Sequence, residues 1–153
     1  MRRRGPRQRR GPKMTQMPQR RIAGQDLSCI GYGAMSFSDF YGATTDAQSL
    51  AVMHALVEAG VTHIDTANVY GAGRSETVIG QALRADPGLR DRLFIATKGG
   101  ITRDAEGRRC YDNSLGHLEA ELDASLARLG VDCVDLYYVH RREADRPIEE
   151  VAQ

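Results

Sequence analysis

Three side chains of complementary acid–base character stand far apart along the chain: the carboxylate of Asp65, the ammonium of Lys98 and the imidazole of His140. Each directly follows a segment that reads as a short β-strand, at 61–64, 93–97 and 132–139. Brought to one rim, such groups can hold, give and accept protons. Taken singly, each has an ordinary reading. An Asp after a strand often caps the next helix, a Lys is usually a solvated charge, and a His usually packs in the core. What they do depends on the elements that carry them.

Helical signals fill the intervals. Thr45 and Gln48 form a capping box, Leu50, Met53 and Val57 recur at helical spacing, and Gly60 supplies a stop, which predicts a helix over 46–59. After the loop 66–74 a second helix is predicted over 75–84, with Glu76 in its first turn suiting the positive helix end. A Gly- and charge-rich loop spans 99–113. A third helix follows, capped by Asn113 or Ser114, with Leu115, Leu118, Leu122, Leu126 and Leu129 on one face and Gly130 at its end. Pro147, Glu149 and Glu150 open a fourth helix, and because the sequence stops at Gln153 it reads as truncated there. Ahead of all this, 20–22 and 27–29 around Gly24-Gln25 suggest a β-hairpin, and the first main strand ends at 29–33.

Strand and helix alternating four times through short connections is an α/β pattern of parallel βαβ units. An open doubly wound sheet and a (β/α)8 TIM barrel both fit that alternation. Polar residues at the carboxyl ends of three different strands, with no G-x-G-x-x-G after the first strand, favour the barrel. The expected fold is therefore the N-terminal half of a (β/α)8 TIM barrel, with four parallel βα units preceded by a short β-hairpin. Its first and fourth strands would have unpaired edges, so self-association through open sheet edges is expected.

Composition limits the function classes. With 41% apolar and 27% charged residues among 153, most of the chain can form an ordinary core. Residues 1–20 hold eight of the 21 Lys and Arg and no acid, which leaves 13 basic against 20 acidic residues, net −7, in the remainder. Residues 1–19, Arg-rich with interspersed Gly and Pro, are expected to be a disordered tail, and 20–153 a partial barrel domain. The tail reads as a solvated extension, or as translation assigned upstream of Met14 or Met17, ahead of a nucleic-acid arm, because no aromatic residues interleave its arginines. Cys29, Cys110 and Cys133 suggest neither a disulfide framework nor zinc, and His54, His63 and His117 lack metal-ligand spacing, so no metal is expected. No apolar run nears the roughly 18 residues of a membrane span, and no secretory signal follows the arginines. A cytoplasmic location is expected.

The words of the sequence resemble the aldo-keto reductase family. Gly31-Tyr-Gly-Ala-Met35, His63-Ile-Asp-Thr-Ala-Asn-Val-Tyr-Gly71 with Ser75-Glu76 and Ile79-Gly80, Ala96-Thr-Lys-Gly99, Ser125-Leu-Ala-Arg-Leu-Gly130 and Asp135-Leu-Tyr-Tyr-Val-His140 occur in the family's order. The resemblance covers residues 20–153. It implies a (β/α)8 barrel that reduces aldehydes and ketones to alcohols with NADP(H), and it places the catalytic four at Asp65, Tyr70, Lys98 and His140.

On that resemblance Tyr70 is the acid that protonates the carbonyl oxygen. A free phenol, with a pKa near 10, needs a cation beside it. Lys98 would be that cation, Asp65 its ion-pair partner, and His140 a donor to the substrate oxygen. Gly33, Ala34 and Met35, with Asp65, correspond to the segment near the nicotinamide, although a Gly-x-Gly at a strand end is also simply a turn. Phe37, Phe40 and Tyr41 wall the substrate pocket or pack in the loop, and Arg141 and Arg142 are placed to reach anions. Only the first half of the barrel is covered, so carbonyl reduction by the chain alone is expected to be impaired or absent. The alternative is a non-catalytic aldo-keto-reductase-like binding subunit or an inactive fragment.

Overall fold

The computed structural model describes residues 17–22 and 24–152. The expected tail falls mostly on residues 1–16, outside the described residues, and its last residue, Gln19, already begins a strand. β1 (Gln19–Ile22) and β2 (Gln25–Ser28) form the antiparallel hairpin. Ser28 and Thr62 exchange hydrogen bonds, each backbone N–H donating to the other's hydroxyl at 2.8 and 2.9 Å, which ties the hairpin to the amino end of the main sheet.

The sheet consists of β3 (Tyr32–Gly33), β4 (His63–Asp65), β5 (Phe94–Gly99) and β8 (Leu136–Val139), all parallel and in chain order. A doubly wound sheet would reverse direction partway; here every new strand adds on the same side. Right-handed crossovers then send every helix across one face. α1 (Asp46–Glu58) packs on α2 (Arg74–Ala85), and α2 on α3 (Leu115–Leu129), as one outer layer. The architecture is an arc of four βα units from a (β/α)8 barrel. α4 (Ile148–Val151) is a single turn after Pro147. No helix among the described residues is long and apolar enough to cross a membrane.

Local chemistry sets the helix ends. Thr45 and Gln48 make both halves of the capping box, and Gly130, at φ 70°, terminates α3 in the left-handed conformation. The start of α3 departs from expectation. Neither Asn113 nor Ser114 caps it with its side chain; the Asp112 carboxylate accepts the Ser114 N–H at 2.9 Å instead. Leu115, expected on the apolar face, is exposed in the first turn of the helix, whereas Leu118 and Leu129 are buried.

The core lies between the sheet and α2, with Ile64 and Ile95 facing Val78, Ile79 and Ala82, closed by Met53, Leu129 and Phe37. α2 and α3 approach until their backbones nearly touch at Gly80. A β-carbon there would sit 2.3 Å from the Arg128 carbonyl oxygen and 2.8 Å from that of Leu129.

Two further elements fill the expected 99–113 loop. β6 (Ile101–Arg103) and β7 (Arg109–Tyr111) pair antiparallel, with Arg103 opposite Arg109. Asp104 makes the turn: its side chain accepts the N–H groups of Glu106 and Arg108. Charged residues at the strand positions conceal the alternation that would otherwise mark a hairpin. β8 starts at Leu136, later than the expected 132, after Asp135 has accepted the Ile95 N–H and paired with Arg90.

Candidate active site

Parallel register carries the rim residues together. Asp65 lies beside Gly33 and Ala96, Lys98 lies beside Tyr138, and the His140 N–H continues the β8 ladder by donating to the Gly99 carbonyl at 2.8 Å. Past Asp65, the loop stays bonded to β5: Thr66 N–H donates to the Ala96 carbonyl and Asn68 N–H to that of Lys98. That course brings Tyr70 in front of Lys98. A run of left-handed residues, Gly71, Ala72 and Gly73, with φ of 61°, 51° and 90°, then turns the chain into α2. Ala72 is the costly member, since only glycine occupies that region freely.

The four expected catalytic residues converge. The Lys98 ammonium donates to the Asp65 carboxylate, to the Thr66 carbonyl at 2.9 Å and to the Tyr70 hydroxyl oxygen at 3.1 Å. All three ammonium protons are thereby used. Because Tyr70 Oη accepts from Lys98, its own proton remains free to point away from the cation. The His140 ring stands nearly perpendicular to the Tyr70 ring, at 83° with centroids 5.7 Å apart. Burial, with the nearby charges of Lys98, Arg141 and Arg109, pushes the His140 pKa down to about 4. The imidazole is neutral at pH 7, with Nδ1 buried and without a partner among the described residues.

Tyr70 and His140, with Lys98 and Asp65 behind them and outside its lining, border a cavity of about 640 Å³ lined also by Met35, Phe40, Arg109 and Arg141, among others. Of the three aromatics that read as pocket wall or as loop packing, Phe40 lines the cavity, Tyr41 stands exposed, and Phe37, within the 3-10 helix Ala34–Ser38, is packed in the core. The 3-10 turn rolls Phe37 inward. Arg142 is turned away and donates to the Ala144 carbonyl.

The expected nicotinamide segment divides in the same way. A β-carbon on Gly33 would meet nothing within 4 Å, so open space lies over its backbone beside Asp65, and Met35 borders the cavity. Ala34 has its side chain in the core, and its carbonyl accepts from Ser75, which also bonds Thr66. An open backbone patch next to a rim of neutral and cationic donors fits a flat, amide-bearing ring such as nicotinamide.

The supporting residues escaped the sequence reading. Glu121 of α3 accepts from Asn68 Nδ2 at 2.6 Å and from the Gly100 N–H, tying together the loops that follow β4 and β5. Asn113, wholly buried, donates to the Arg141 carbonyl and accepts the Glu143 N–H, which clamps the segment after His140 to the start of α3. Glu76, expected to serve the helix dipole, is fully buried and accepts from Arg128 Nε and Thr97 Oγ1, both at 2.6 Å. It fixes β5 one residue before Lys98.

The site can be set beside known proteins. Residues 29–153 match the family described as the aldo/keto reductase family. The Schizosaccharomyces pombe aldo-keto reductase yakc, whose name specifies NADP(+), is 37% identical over 136 residues, covering 88% of this chain and 40% of that protein. A 6-dehydroglucose reductase of Novosphingobium aromaticivorans is 36% identical over 137 residues, covering 86% and 43%. A glycerol dehydrogenase from Gluconobacter oxydans superposes with a TM-score of 0.76 at 30% identity, covering 88% of this chain and 42% of that one. The holo form of an aldo-keto reductase from Bacillus halodurans gives 0.75, also at 30% identity, covering 88% and 44%. The chain thus spans less than half the length of these relatives.

Proposed function

This chain belongs to the aldo/keto reductase family, and we propose that its rim supplies the proton-transfer half of an NADP(H)-dependent reduction of aldehydes or ketones to alcohols. The observation that carries the reading is the single ammonium of Lys98 shared among Asp65, Thr66 and the Tyr70 oxygen.

Each residue has a separate task. Tyr70 hands its free proton to the carbonyl oxygen as negative charge develops there. Lys98 stabilises the phenolate left behind, and Asp65 with the Thr66 carbonyl keeps the ammonium at 3.1 Å from Tyr70 Oη. His140, neutral, donates a ring N–H to the same carbonyl oxygen without bringing a positive charge toward Lys98. NADPH, when bound, would supply a hydride to the carbonyl carbon. Gly33, Met35 and Asp65 are the residues of this chain that would hold its nicotinamide. The NADP(+) in the name of the S. pombe relative supports that cofactor.

The test completes the barrel by joining this chain to the segment of the S. pombe relative that it does not span. NADPH oxidation that requires an added aldehyde, and is lost in Tyr70→Phe and Lys98→Met, is the expected result. Oxidation that persists in both variants would remove the tetrad from the chemistry. The edges of β3 and β8 support self-association of the chain, which sedimentation velocity reads directly; a folded monomer would exclude it. Three free thiols, Cys29, Cys110 and Cys133, are in keeping with a reducing cytoplasm.

A further inference from the structure

We propose that the β6–β7 hairpin makes this pocket selective for carbonyl compounds that carry an anionic group, a carboxylate or a phosphate, held between Arg103 and Arg109. The inference rests on the reductase reading for the identity of the carbonyl and on the hairpin alone for the anion.

Arg103 and Arg109 are register partners across the hairpin, and both border the cavity that contains Tyr70 and His140. Like charges directly opposite on a sheet repel, so the pairing is unfavourable unless an anion comes between them. The hairpin's own acids do not serve. Asp104 and Glu106 both pair with Arg108, at 2.7 and 2.9 Å, on the outer side. Among the described residues neither Arg103 nor Arg109 has a carboxylate within ion-pair distance, and Arg141, the third guanidinium on the cavity, has none either. Arg103 reaches only the Gly107 carbonyl, Arg141 only that of His140, and Arg109 lies against the Tyr111 ring.

Elsewhere Arg74, Arg90, Arg108, Arg128 and Arg146 each hold a carboxylate, whereas Arg20, Arg84, Arg92 and Arg142 hold none among the described residues, and none of these four lines this cavity. Three uncompensated guanidiniums therefore collect where a substrate enters, and their charge reaches the site, since Arg141 and Arg109 both help to depress the His140 pKa. Guanidinium forks bind carboxylate and phosphate in pairs of parallel hydrogen bonds. An anion seated on the hairpin leaves the other end of a compact molecule beside Tyr70.

The test measures direct binding to the whole chain without cofactor, by following the His140 ring signals during titration. The probes are 4-carboxybenzaldehyde, its methyl ester and 4-formylphenyl phosphate. Both anions are expected to bind about tenfold more tightly than the ester, as one charge-assisted pair would give, and the preference is expected to shrink as salt screens the exposed arginines. The R103Q/R109Q variant, checked for folding by circular dichroism, is expected to bring the anions close to the ester. Preference for one anion alone identifies which headgroup the fork fits. Equal binding of acid, phosphate and ester by the unaltered chain overturns the proposal by itself, as does a preference that survives R103Q/R109Q. Weakened NADPH binding in that variant with the aldehyde preference intact would assign the arginines to the cofactor's phosphates and equally overturn it. Failure here leaves turnover of uncharged aldehydes by the completed barrel untouched, whereas failure of the reductase reading leaves anion binding standing.

Discussion

Two walls of one cavity are built in different ways. Behind Tyr70 and Lys98 stand α2 and α3, where Glu76 lies with no exposed surface and its carboxylate binds Arg128 and Thr97. Across from them stands the β6–β7 hairpin, whose arginines are exposed and whose ion pairs, those of Arg108, face solvent. The residues that would move protons are pinned by a buried polar network; those that would meet the distal end of a substrate ride on a short, charged surface element. Such a division keeps the reacting geometry fixed while recognition is free to vary, because loops on a rigid scaffold tolerate change that a close-packed wall does not.

The largest difference between the walls should appear in turnover. In the completed barrel, Tyr70→Phe is expected to lower aldehyde-dependent NADPH oxidation by about 10²–10⁴-fold, the usual span of a lost general acid. Its thermal midpoint should barely change, since the hydroxyl's protein contact is with Lys98. Arg109→Gln should leave the reduction of an uncharged aldehyde far less affected than Tyr70→Phe does.

Stability separates the walls next. Arg128→Ala leaves the buried Glu76 carboxylate without its cation and should cost about 3–5 kcal/mol in urea unfolding. Arg108→Ala, on the hairpin, removes pairs in which Arg108 is 74% exposed and should cost no more than about 1 kcal/mol. Equal losses would mean that the inner network is not buried in the folded protein.

A glycine pair gives a smaller contrast of opposite sign. Gly80→Ala forces a β-carbon against the backbone of α3 and should destabilise by about 1–3 kcal/mol. Gly116→Ala, in the exposed first turn of α3 with nothing within 4 Å, should stabilise by up to about 1 kcal/mol through helix propensity. Denaturant midpoints of the two variants check both signs.

Much of this layout was legible because it is encoded locally. Thr45 with Gln48, and Gly130, are recognisable helix ends, and Asp65, Lys98 and His140 are visible as polar residues closing strands whose parallel register then places them together. What stayed hidden depends on distant partners. Glu76 has an adequate local explanation at a helix start, and nothing near it in the sequence points to Arg128, 52 residues on. Asn113 looked like a cap because the segment it clamps, around Arg141 and Glu143, lies beyond the next helix and strand. Phe37 reads equally as pocket wall or as loop packing, because a 3-10 turn, unlike an α-helix, leaves little periodic trace. The β6–β7 hairpin was masked by its charge, and the same charge suggests its use.

Acid should weaken the inner wall in a defined window. His140 binds its proton at about pH 4 when folded and near its ordinary 6.5 when unfolded, so between those values the unfolded chain takes up more protons. Stability should therefore fall as pH drops from 6.5 toward 4, with no further His140 contribution below or above that range. Lys98, Arg109 and Arg141 favour this depression and Asp65 opposes it. His140→Gln should flatten that part of the pH profile.

The most direct measurement is an NMR titration of the His140 ring in the unaltered chain, its signals identified by their loss in His140→Gln. An apparent pKa of about 4 that rises in Lys98→Met is expected if the imidazole, the ammonium and the phenol share one partly buried rim. A pKa near 6.5 that Lys98→Met leaves in place would mean that His140 stands in water apart from Lys98, and that these side chains do not form a site.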